Sequence, residues 1–562
     1  MAVGGSAPLT PPPPAITEFG PSPDVNEDVP NSQSAAHVSS AHVPRPVSSP
    51  VTGPSGTSVQ GLNFRDQRLA DGGNQFSLEP PDQALCVSDS GYILEAVNDA
   101  FAFYQGGARV SNVMALNPFF TNDHAIVRST PPVFGTFVSD PKCYFDPELM
   151  RFYFTVLTID THPATGAFTG ATHIEIAVSR DSHPTTDPSS WFHYRIRTTN
   201  DAAPDAANPA SVANPDCPCL GDQPLIGADK YGFFVTTNEF PLFTDGFNGA
   251  IVYAMDKAAL ANGALHNLTL GANRPGLAEG PGYSIQPASS PTTADWQTAN
   301  NGTEYFLSAL DFDATLDNRI AVWQVTNTQS LTTTTPNLSL TNKVLASEVY
   351  GQPPAAEQRR GQTPLADALK EHENLLDSND DRMQQVVYVR PGGIGNGYLA
   401  SGLNTVVKTE NGPTHVGIAW FVVQPTALTQ ADAAISQQGY ISVNRQNVMF
   451  PAVALNHNGT GAMVYTLVGP DYYPSAAFTP FSVDGAAADV RIGALGNAPA
   501  DGFTGYRYYG GNGVERWGDY SAAVAGVDGS IYMATEYIEA DVSWPPFLAN
   551  WGTRIINYLP GS

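Results

Sequence analysis

The sequence is poor in basic residues, in cysteine and in long apolar runs. Acidic residues outnumber basic ones 53 to 26 among 562 residues, and only 14% of the side chains are charged. Binding to nucleic-acid phosphates or to anionic lipid depends on clustered Lys and Arg, which this sequence lacks. No apolar stretch approaches the roughly 18 residues of a membrane-spanning helix. We therefore expect no nucleic-acid partner and no membrane insertion.

The N-terminal residues lack the apolar core of a signal peptide, and only four cysteines are present. They are Cys86, Cys143, Cys217 and Cys219, an even number that fits disulfides formed in an oxidising compartment. Cys217-Pro-Cys219 could also be half of a metal site, but no second cluster or nearby His completes it. We expect a secreted, extracellular protein whose signal peptide is not present in this chain.

Glycine, proline and aromatic residues are plentiful, with 51 Gly, 47 Pro and an aromatic content of 10%. This composition is typical of many short strands joined by turns. Residues 1–58 are rich in Pro, Ser, Ala and Gly and have almost no aromatic or β-branched clusters, which predicts a disordered leader. The structured region is therefore expected over residues 59–562.

One hairpin pattern recurs along this region. A polar residue, usually Asp, opens a short strand, a turn with Asp, Asn or Gly follows, and a strongly apolar strand then ends in a polar residue. In the first copy Asp82 opens the pattern and Asn98 ends it. The copies begin near residues 82, 140, 222, 286, 382, 450 and 519. They predict an all-β fold, a seven-bladed β-propeller of four-stranded antiparallel blades, in preference to a β-sandwich.

A propeller also needs its ends to share a blade. The last copy shows three strands, so we expect a strand near residues 62–69 to supply the fourth. Such a closure would leave no exposed sheet edge between the first and last blades.

Three segments resemble the sialidase-like, BNR-type family of secreted bacterial β-propellers. They are Asp140-Pro-Lys-Cys-Tyr-Phe-Asp146-Pro, Ala177-Val-Ser-Arg-Asp-Ser with Asp187-Pro-Ser-Ser-Trp191, and Arg516-Trp-Gly-Asp-Tyr-Ser521 with Met533-Ala-Thr-Glu-Tyr537. The resemblance spans roughly residues 60–562 and implies a propeller fold. The arginine triad and Tyr–Glu pair of a true sialidase cannot be assigned in this sequence.

In a propeller, the start of the innermost strand and the end of the second strand meet at one mouth of the axis. We expect the catalytic residues among the carboxylates there, because glycoside hydrolysis needs two such groups ~5–10 Å apart. The catalytic candidates are Asp222, Glu239, Asp519 and Glu536. The substrate-binding candidates are Asp82, Asn98, Asp140, Lys142, Asn238, Arg382, Asn404, Arg516, Trp517 and Tyr520. A structural role remains open for the repeated Asp residues, since Asp at a strand start often accepts backbone N–H bonds.

Asp377, Asn379 and Asp381 place oxygen atoms at alternating positions, as calcium loops do, so Ca²⁺ can be accommodated although no cofactor is required. Together these features predict an extracellular propeller that acts on or binds a polysaccharide or glycoconjugate at its axial rim. If it is an enzyme, we expect a glycosidase or lyase. The alternative is a non-catalytic recognition or adhesion module for a protein or matrix partner. We expect a monomer.

Overall fold

The secondary structure of the chain is mostly β, as its composition predicts. The computed structural model describes residues 42–202, 214–270, 276–277, 280–310, 316–393, 395–409, 412–426, 433–540 and 548–561. Within these ranges the strands form seven groups of four, and each strand of a group pairs antiparallel with its neighbour. We number these strand groups 1 to 7 by the position of their innermost strand.

The first four strand groups follow one another directly along the chain, and the strands of each are listed from the innermost outwards. Group 1 contains Ala84–Val87, Ile93–Val97, Ala100–Gln105 and Ala108–Arg109, with Met114–Ala115 also paired to its third strand. Group 2 contains Phe137–Asp146, Arg151–Thr161, Phe168–Ser179 and Trp191–Arg197. Group 3 contains Cys219–Ala228, Gly232–Pro241, Gly249–Asp256 and Asn267–Leu270. Group 4 contains Gln286–Ser289, Thr303–Ala309, Asp317–Thr326 and Ser339–Tyr350.

The last three strand groups include both ends of the sheet structure. Group 5 contains Val386–Val389, Tyr398–Lys408, Thr414–Gln424 and Ala434–Ile441. Group 6 contains Asn447–Leu455, Thr460–Gly469, Tyr472–Ser482 and Val490–Ala494, with Gly485–Ala486 and Val51–Pro54 added at its edge. Group 7 contains Ala522–Ala525, Ile531–Ile538, Trp551–Tyr558 and, from the start of the chain, Thr57–Asn63.

The innermost strands of the groups form a closed ring. Each contacts the innermost strand of the next group, and Ala522–Ala525 of group 7 contacts Ala84–Val87 of group 1. A ring of radial antiparallel sheets around one axis is a β-propeller architecture. Since neighbouring sheets cover both faces of each group, second strands such as Gly232–Pro241 are buried along their whole length.

The strand that closes the ring lies earlier than expected. Thr57–Asn63 pairs antiparallel with Trp551–Tyr558, whereas the sequence predicted a closing strand near residues 62–69. Residues 64–73 form a helix instead, because the Asn63 side chain accepts a hydrogen bond from Asp66 N at 2.8 Å and so caps the helix N-terminus.

Part of the predicted leader is also paired with the body of the protein. Val51–Pro54 runs parallel to Val490–Ala494, and Ser49 N donates to Ser442 O at 2.7 Å. The paired region therefore begins before the predicted boundary at residue 58. Backbone pairing at a sheet edge depends little on side chains, which explains why a Pro- and Ser-rich composition concealed it. Residues 1–41 of the predicted leader lie outside the described residues.

The sheets are not purely antiparallel. Ala288 and Ser289 at the inner strand of group 4 pair in parallel with Val386 and Val387 of group 5, which joins the two groups into one eight-stranded sheet. Inner strands around an axis all run in one direction, so a direct pairing between neighbours has to be parallel. Shorter pairs occur in the connections, at Ile126–Val127 with Val133–Phe134, Gly276–Leu277 with Gly280–Pro281, and Leu375–Leu376 with Val514–Glu515.

In the described ranges, helices are few and short. The α-helices are Phe64–Gly73, Leu116–Phe120, Lys257–Ala261 and Pro364–Leu369, and the 3-10 helices are Pro188–Ser190, Ala299–Asn301, Thr328–Thr332, Pro391–Gly393 and Arg507–Tyr509. Among the residues that the structure describes, no helix is long and apolar enough to cross a membrane.

Both pairs of cysteines form disulfides, as their even number predicts. Cys86–Cys143 joins the inner strands of groups 1 and 2 across a sequence separation of 57 residues. Cys217–Cys219 closes a very small ring, with a sequence separation of 2, at the start of group 3. The first bond therefore ties two groups together, whereas the second spans one residue.

Candidate functional site at the axial mouth

Backbone bulges set the geometry where the inner strands begin. The left-handed residues at these starts are Asp82, Asp140, Gln223, Ser284 and Phe450, with φ of 46°, 56°, 47°, 42° and 60°. In groups 2, 3 and 6 the pairing register shifts at this point, as a β-bulge requires. Gln223, and not Asp222, is therefore the counterpart of Asp140, and the sequence-based alignment of group 3 was shifted by one residue.

Three asparagines, one directly after a second strand and two within second strands, stabilise these bulges. The Oδ1 atoms of Asn98, Asn238 and Asn404 accept hydrogen bonds from the backbone N–H groups of Asp140 (2.9 Å), Ser284 (2.8 Å) and Phe450 (2.7 Å), each in the following strand group. Their Nδ2 atoms donate to Pro80 O (2.7 Å), Ser284 Oγ (2.9 Å) and Ser378 O (2.8 Å). All three asparagines are buried. These contacts favour a structural role over the substrate-binding role expected from the sequence.

Four aspartates meet at the axial mouth. Asp82 is buried, and its Oδ1 accepts a hydrogen bond from Asp519 N at 2.6 Å, while Asp140, Asp222 and Asp519 are partly exposed. Burial and the charges of Asp519 and Asp140 raise the pKa of Asp82 to about 8. Burial and the charges of Asp222 and Asp519 raise the pKa of Asp140 to about 7. The mouth therefore holds carboxyl groups that retain a proton near neutral pH.

Lys142 and Tyr520 form the floor of this mouth. The Lys142 ammonium lies over the Tyr520 ring, 2.6 Å from its centroid, and Tyr520 OH donates to Pro141 O at 3.3 Å. Burial lowers the pKa of Lys142 well below its usual value, although Asp82 and Asp140 pull it upwards. The pKa of the Tyr520 hydroxyl is raised well above its usual value, first by burial and then by the charge of Asp140.

The two arginines expected near the mouth have different surroundings. Arg382 is buried, and its Nε and Nη2 donate to Asp380 Oδ1 and Oδ2 at 2.8 and 2.7 Å, while Nη1 donates to Gln223 Oε1 at 2.7 Å. Its planar group is therefore already engaged and does not match the predicted role of holding a substrate carboxylate. Arg516 is half-exposed and pairs with Asp519 Oδ2 at 2.8 Å, so it can still reach a bound molecule.

A narrow channel of about 110 Å³ continues from the mouth along the axis. Gln83, Lys142, Gln384 and Tyr520 line the mouth end, and Ala and Val side chains such as Val87 line its walls. Gln83 Nε2 donates to Tyr520 O at 2.8 Å, which holds this end in place. A volume this small cannot hold an oligosaccharide, so a larger substrate is restricted to the mouth itself.

Glu536 and Trp517 lie beneath the mouth and not on its surface. Both are buried; Gly518 N donates to Glu536 Oε2 at 2.9 Å, and Trp517 Nε1 donates to Thr466 Oγ1 at 3.3 Å. Burial raises the pKa of Glu536 well above its usual value. A buried carboxyl bonded to backbone and a buried indole do not match the catalytic and sugar-stacking roles expected for them.

Glu239 belongs to a different cluster. Its carboxylate accepts hydrogen bonds from the Asn200 amide and, at 2.7 Å, from the Asn214 amide. Its Oε1 lies 4.0 Å from Cys217 Sγ. The contacts described for the Glu239 carboxylate are thus with two asparagine amides and a disulfide sulfur.

In the predicted calcium loop, oxygen atoms of Asp377 and Asn379 already accept hydrogen bonds from protein groups. Asp377 Oδ1 accepts from Asn379 N at 2.9 Å, while Asn379 donates to Asp519 Oδ1 at 3.0 Å and accepts from Arg382 Nη2 at 3.2 Å. Asp381 is buried, and it lies close enough to Tyr350 for its charge to help raise the pKa of the Tyr350 hydroxyl. A cationic guanidinium bonded to the Asn379 oxygen opposes calcium at that atom, so these three residues do not fit a calcium site.

One group of acidic, Cys or His side chains with ligand atoms within 4.8 Å of one another occurs among the described residues. It is Cys217, Cys219 and Glu239, and the disulfide leaves no thiolate there for a metal.

A buried carboxyl pair next to the mouth escaped the sequence analysis. Glu79 and Glu515 both approach Gly502, and Thr504 Oγ1 donates to Glu79 Oε2 at 2.9 Å. Burial raises the pKa of Glu79 to about 8 and that of Glu515 well above its usual value. Neither residue belongs to the repeated hairpin. The signal available in the sequence was their position: Glu79 lies just before the first hairpin copy, which begins at Asp82, and Glu515 directly precedes Arg516.

No protein-family model and no curated protein match this chain. Among solved structures, the NanB sialidase of Streptococcus pneumoniae is 10% identical, with a TM-score of 0.33, over 92% of this chain and 71% of that one. The GH93 α-L-arabinofuranosidase of Fusarium graminearum is 8% identical, with a TM-score of 0.30, over 89% of this chain and 97% of that one. The exo-β-1,3-galactanase of Clostridium thermocellum is 7% identical, with a TM-score of 0.25, over 90% and 97%.

Proposed function

We propose that this chain is a secreted, seven-bladed β-propeller that hydrolyses a glycan at its acidic axial mouth. Each strand group is taken as one blade, which the closed ring of inner strands supports. The observation that carries the proposed activity is the meeting of partly exposed Asp140 and Asp519 in different electrostatic surroundings.

Asp140 is the proposed general acid. Its pKa of about 7 leaves a substantial fraction protonated at neutral pH, so it can donate a proton to the glycosidic oxygen as the bond breaks. Asp222 is a positioning residue, since its negative charge helps to raise the pKa of Asp140.

Asp519 is the proposed partner carboxylate. Arg516 pairs with its Oδ2 at 2.8 Å and Asn379 donates to its Oδ1 at 3.0 Å, and these two contacts orient the carboxyl group. Glycoside hydrolysis requires a second carboxyl group beside the general acid, and in this proposal Asp519 supplies it. Asp519 activates water or attacks the sugar carbon.

The substrate class follows from charge. The surplus of carboxylates at the mouth disfavours polyanionic glycans, so we propose a neutral polysaccharide or glycoconjugate as substrate. Partly exposed Lys142 and half-exposed Arg516 can donate hydrogen bonds to sugar hydroxyls there.

The test is turnover on a panel of neutral polysaccharides and aryl glycosides. We expect Asp140→Asn and Asp519→Asn each to lower turnover by about 100-fold or more, because each removes one proton-transfer or charge-stabilising group. Asp89→Asn, an exposed turn position in group 1, is the matched control and should leave turnover unchanged. Thermal melting of all variants separates loss of activity from loss of folding.

The pH profile provides a second criterion. If Asp140 is the acid, turnover falls as pH rises above about 7, and that limb disappears in Asp140→Asn. Absence of turnover across the panel would contradict hydrolysis. Glycan binding that is lost in Asp519→Asn would then indicate a recognition module at the same mouth.

A further inference from the structure

The Cys217–Pro218–Cys219 segment combines features that a purely structural disulfide does not need. A bond across a sequence separation of 2 restricts the unfolded chain far less than one across 57 residues, so it adds less to stability. Cys217 is partly exposed, whereas Cys219 is fully buried. The two sulfurs therefore differ in the access they give to a reagent from solution.

Polar groups that can donate a proton or a hydrogen bond lie next to these sulfurs. Glu239 is buried, and its carboxylate oxygen and the two sulfurs lie within 4.8 Å of one another. The Asn248 amide lies 3.4 Å from Cys219 Sγ and 3.9 Å from Cys217 Sγ, where it can donate to a thiolate formed on either. Because a buried thiolate is costly, a sulfur released at Cys219 needs both a hydrogen-bond donor and a proton.

We propose that Cys217–Cys219 is a thiol–disulfide exchange site, with Glu239 as the group that exchanges a proton with the buried sulfur. Its co-substrate is a small thiol or a cysteine-containing peptide. The site lies outside the axial aspartate cluster and does not depend on the proposed glycan activity.

The exchange balances without any other reactant. A thiolate attacks Cys217 Sγ, a new S–S bond forms, and the Cys217–Cys219 bond breaks with its electron pair on Cys219, which takes a proton from the Glu239 carboxyl group. A second thiolate then attacks the external sulfur of the mixed disulfide and leaves with it as an external disulfide. The electron pair stays on Cys217 Sγ, which takes a proton from water, and Glu239 regains its proton from water; the two protons equal those released when the two attacking thiols ionised. Two thiols are oxidised, and one protein disulfide is reduced to two thiols. The reverse sequence oxidises two thiols of a partner.

The experiment follows both disulfides in the same folded protein. The native chain is incubated with reduced glutathione, quenched with a thiol-alkylating reagent at intervals, and mapped by peptide mass spectrometry. We expect Cys217–Cys219 to be reduced at least about tenfold faster than Cys86–Cys143, because the exposed sulfur can be attacked without unfolding. Equal rates, or reduction that occurs only as the protein unfolds, would overturn the proposal.

Single-cysteine variants assign the attacked sulfur. Incubated with oxidised glutathione, Cys219→Ser should accumulate a stable glutathione adduct at Cys217 with release of reduced glutathione, since no second protein sulfur can displace it. Cys217→Ser should react at Cys219 at least about tenfold more slowly, because that sulfur is buried. The opposite order of reactivity would contradict the assignment.

The role of Glu239 needs a readout that a structural residue would not change. We expect Glu239→Gln to slow the exchange and to alter its pH profile, with Glu239→Asp recovering part of the rate. Glu148→Gln, an exposed position in group 2 with the same change of charge, is the control. If Glu239→Gln melts at the parent temperature and exchanges with the parent pH profile, Glu239 has no part in the proton transfer.

Discussion

Replacement of Asn404 by Ala tests whether the buried asparagines hold neighbouring strand groups together. Asn404 is fully buried, accepts from Phe450 N at 2.7 Å and donates to Ser378 O at 2.8 Å. The change leaves one backbone donor and one backbone acceptor without their partner. At about 1–3 kcal/mol for each of these two unsatisfied buried groups, the expected loss is about 2–6 kcal/mol. That is a large part of the ~5–15 kcal/mol by which a domain is usually stable.

Equilibrium unfolding in urea measures this loss, with Asn458→Ala, an exposed position, as the control. Asn98→Ala and Asn238→Ala should behave like Asn404→Ala, because these asparagines also bridge to the following strand group. Losses below about 1 kcal/mol for all three would refute the reasoning, since buried groups would then have found other partners. A loss of glycan binding with unchanged stability would instead restore the substrate-binding role expected from the sequence.

Three further predictions concern charge, covalent links and ring closure. The pKa of Asp140 is raised to about 7, so the folded state binds more protons than the unfolded state between pH ~4 and ~7. The free energy of unfolding should therefore fall as pH rises through this range. Urea unfolding at several pH values should show a shallower fall in Asp140→Asn, and an unchanged slope would contradict this. Removing the disulfide across 57 residues, by Cys86→Ser with Cys143→Ser, should lower the free energy of unfolding by about 4 kcal/mol, because the unfolded chain gains entropy. Removing Cys217–Cys219 should lower it by only about 1–2 kcal/mol. Calorimetric melting of the two double variants tests this order. Val59→Pro removes a backbone donor from the closing strand opposite Ile555 and should lower the melting temperature by several degrees. Val47→Pro, at an exposed position before the strands, is the control and should not lower it. Equal effects of the two variants would show that the closing strand adds no stability.

The axial site could be anticipated in part. Asp82, Asp140, Asp222 and Asp519 come together because each lies at the start of an inner strand, a position that the hairpin pattern identifies. The one-residue difference between Asp222 and Gln223 could not be anticipated, because the bulge is visible only from the pairing register. Glu79 and Glu515 were missed for a related reason: they lie in connections that have no repeated counterpart.

Local patterning determined the class of fold and the recurring hairpin, since these depend on residue type and on short-range alternation of apolar and polar side chains. The even number of cysteines indicated disulfides but not which cysteines pair, because Cys86 and Cys143 are 57 residues apart. Contacts between distant residues decided the rest. The sequence could not show that residues 51–63 complete two sheets, because backbone pairing at an edge requires no particular side chain. Nor could it separate Glu239, beside a disulfide, from Asp519, beside Arg516, because both are acidic residues near the same face and only tertiary packing gives each its neighbours.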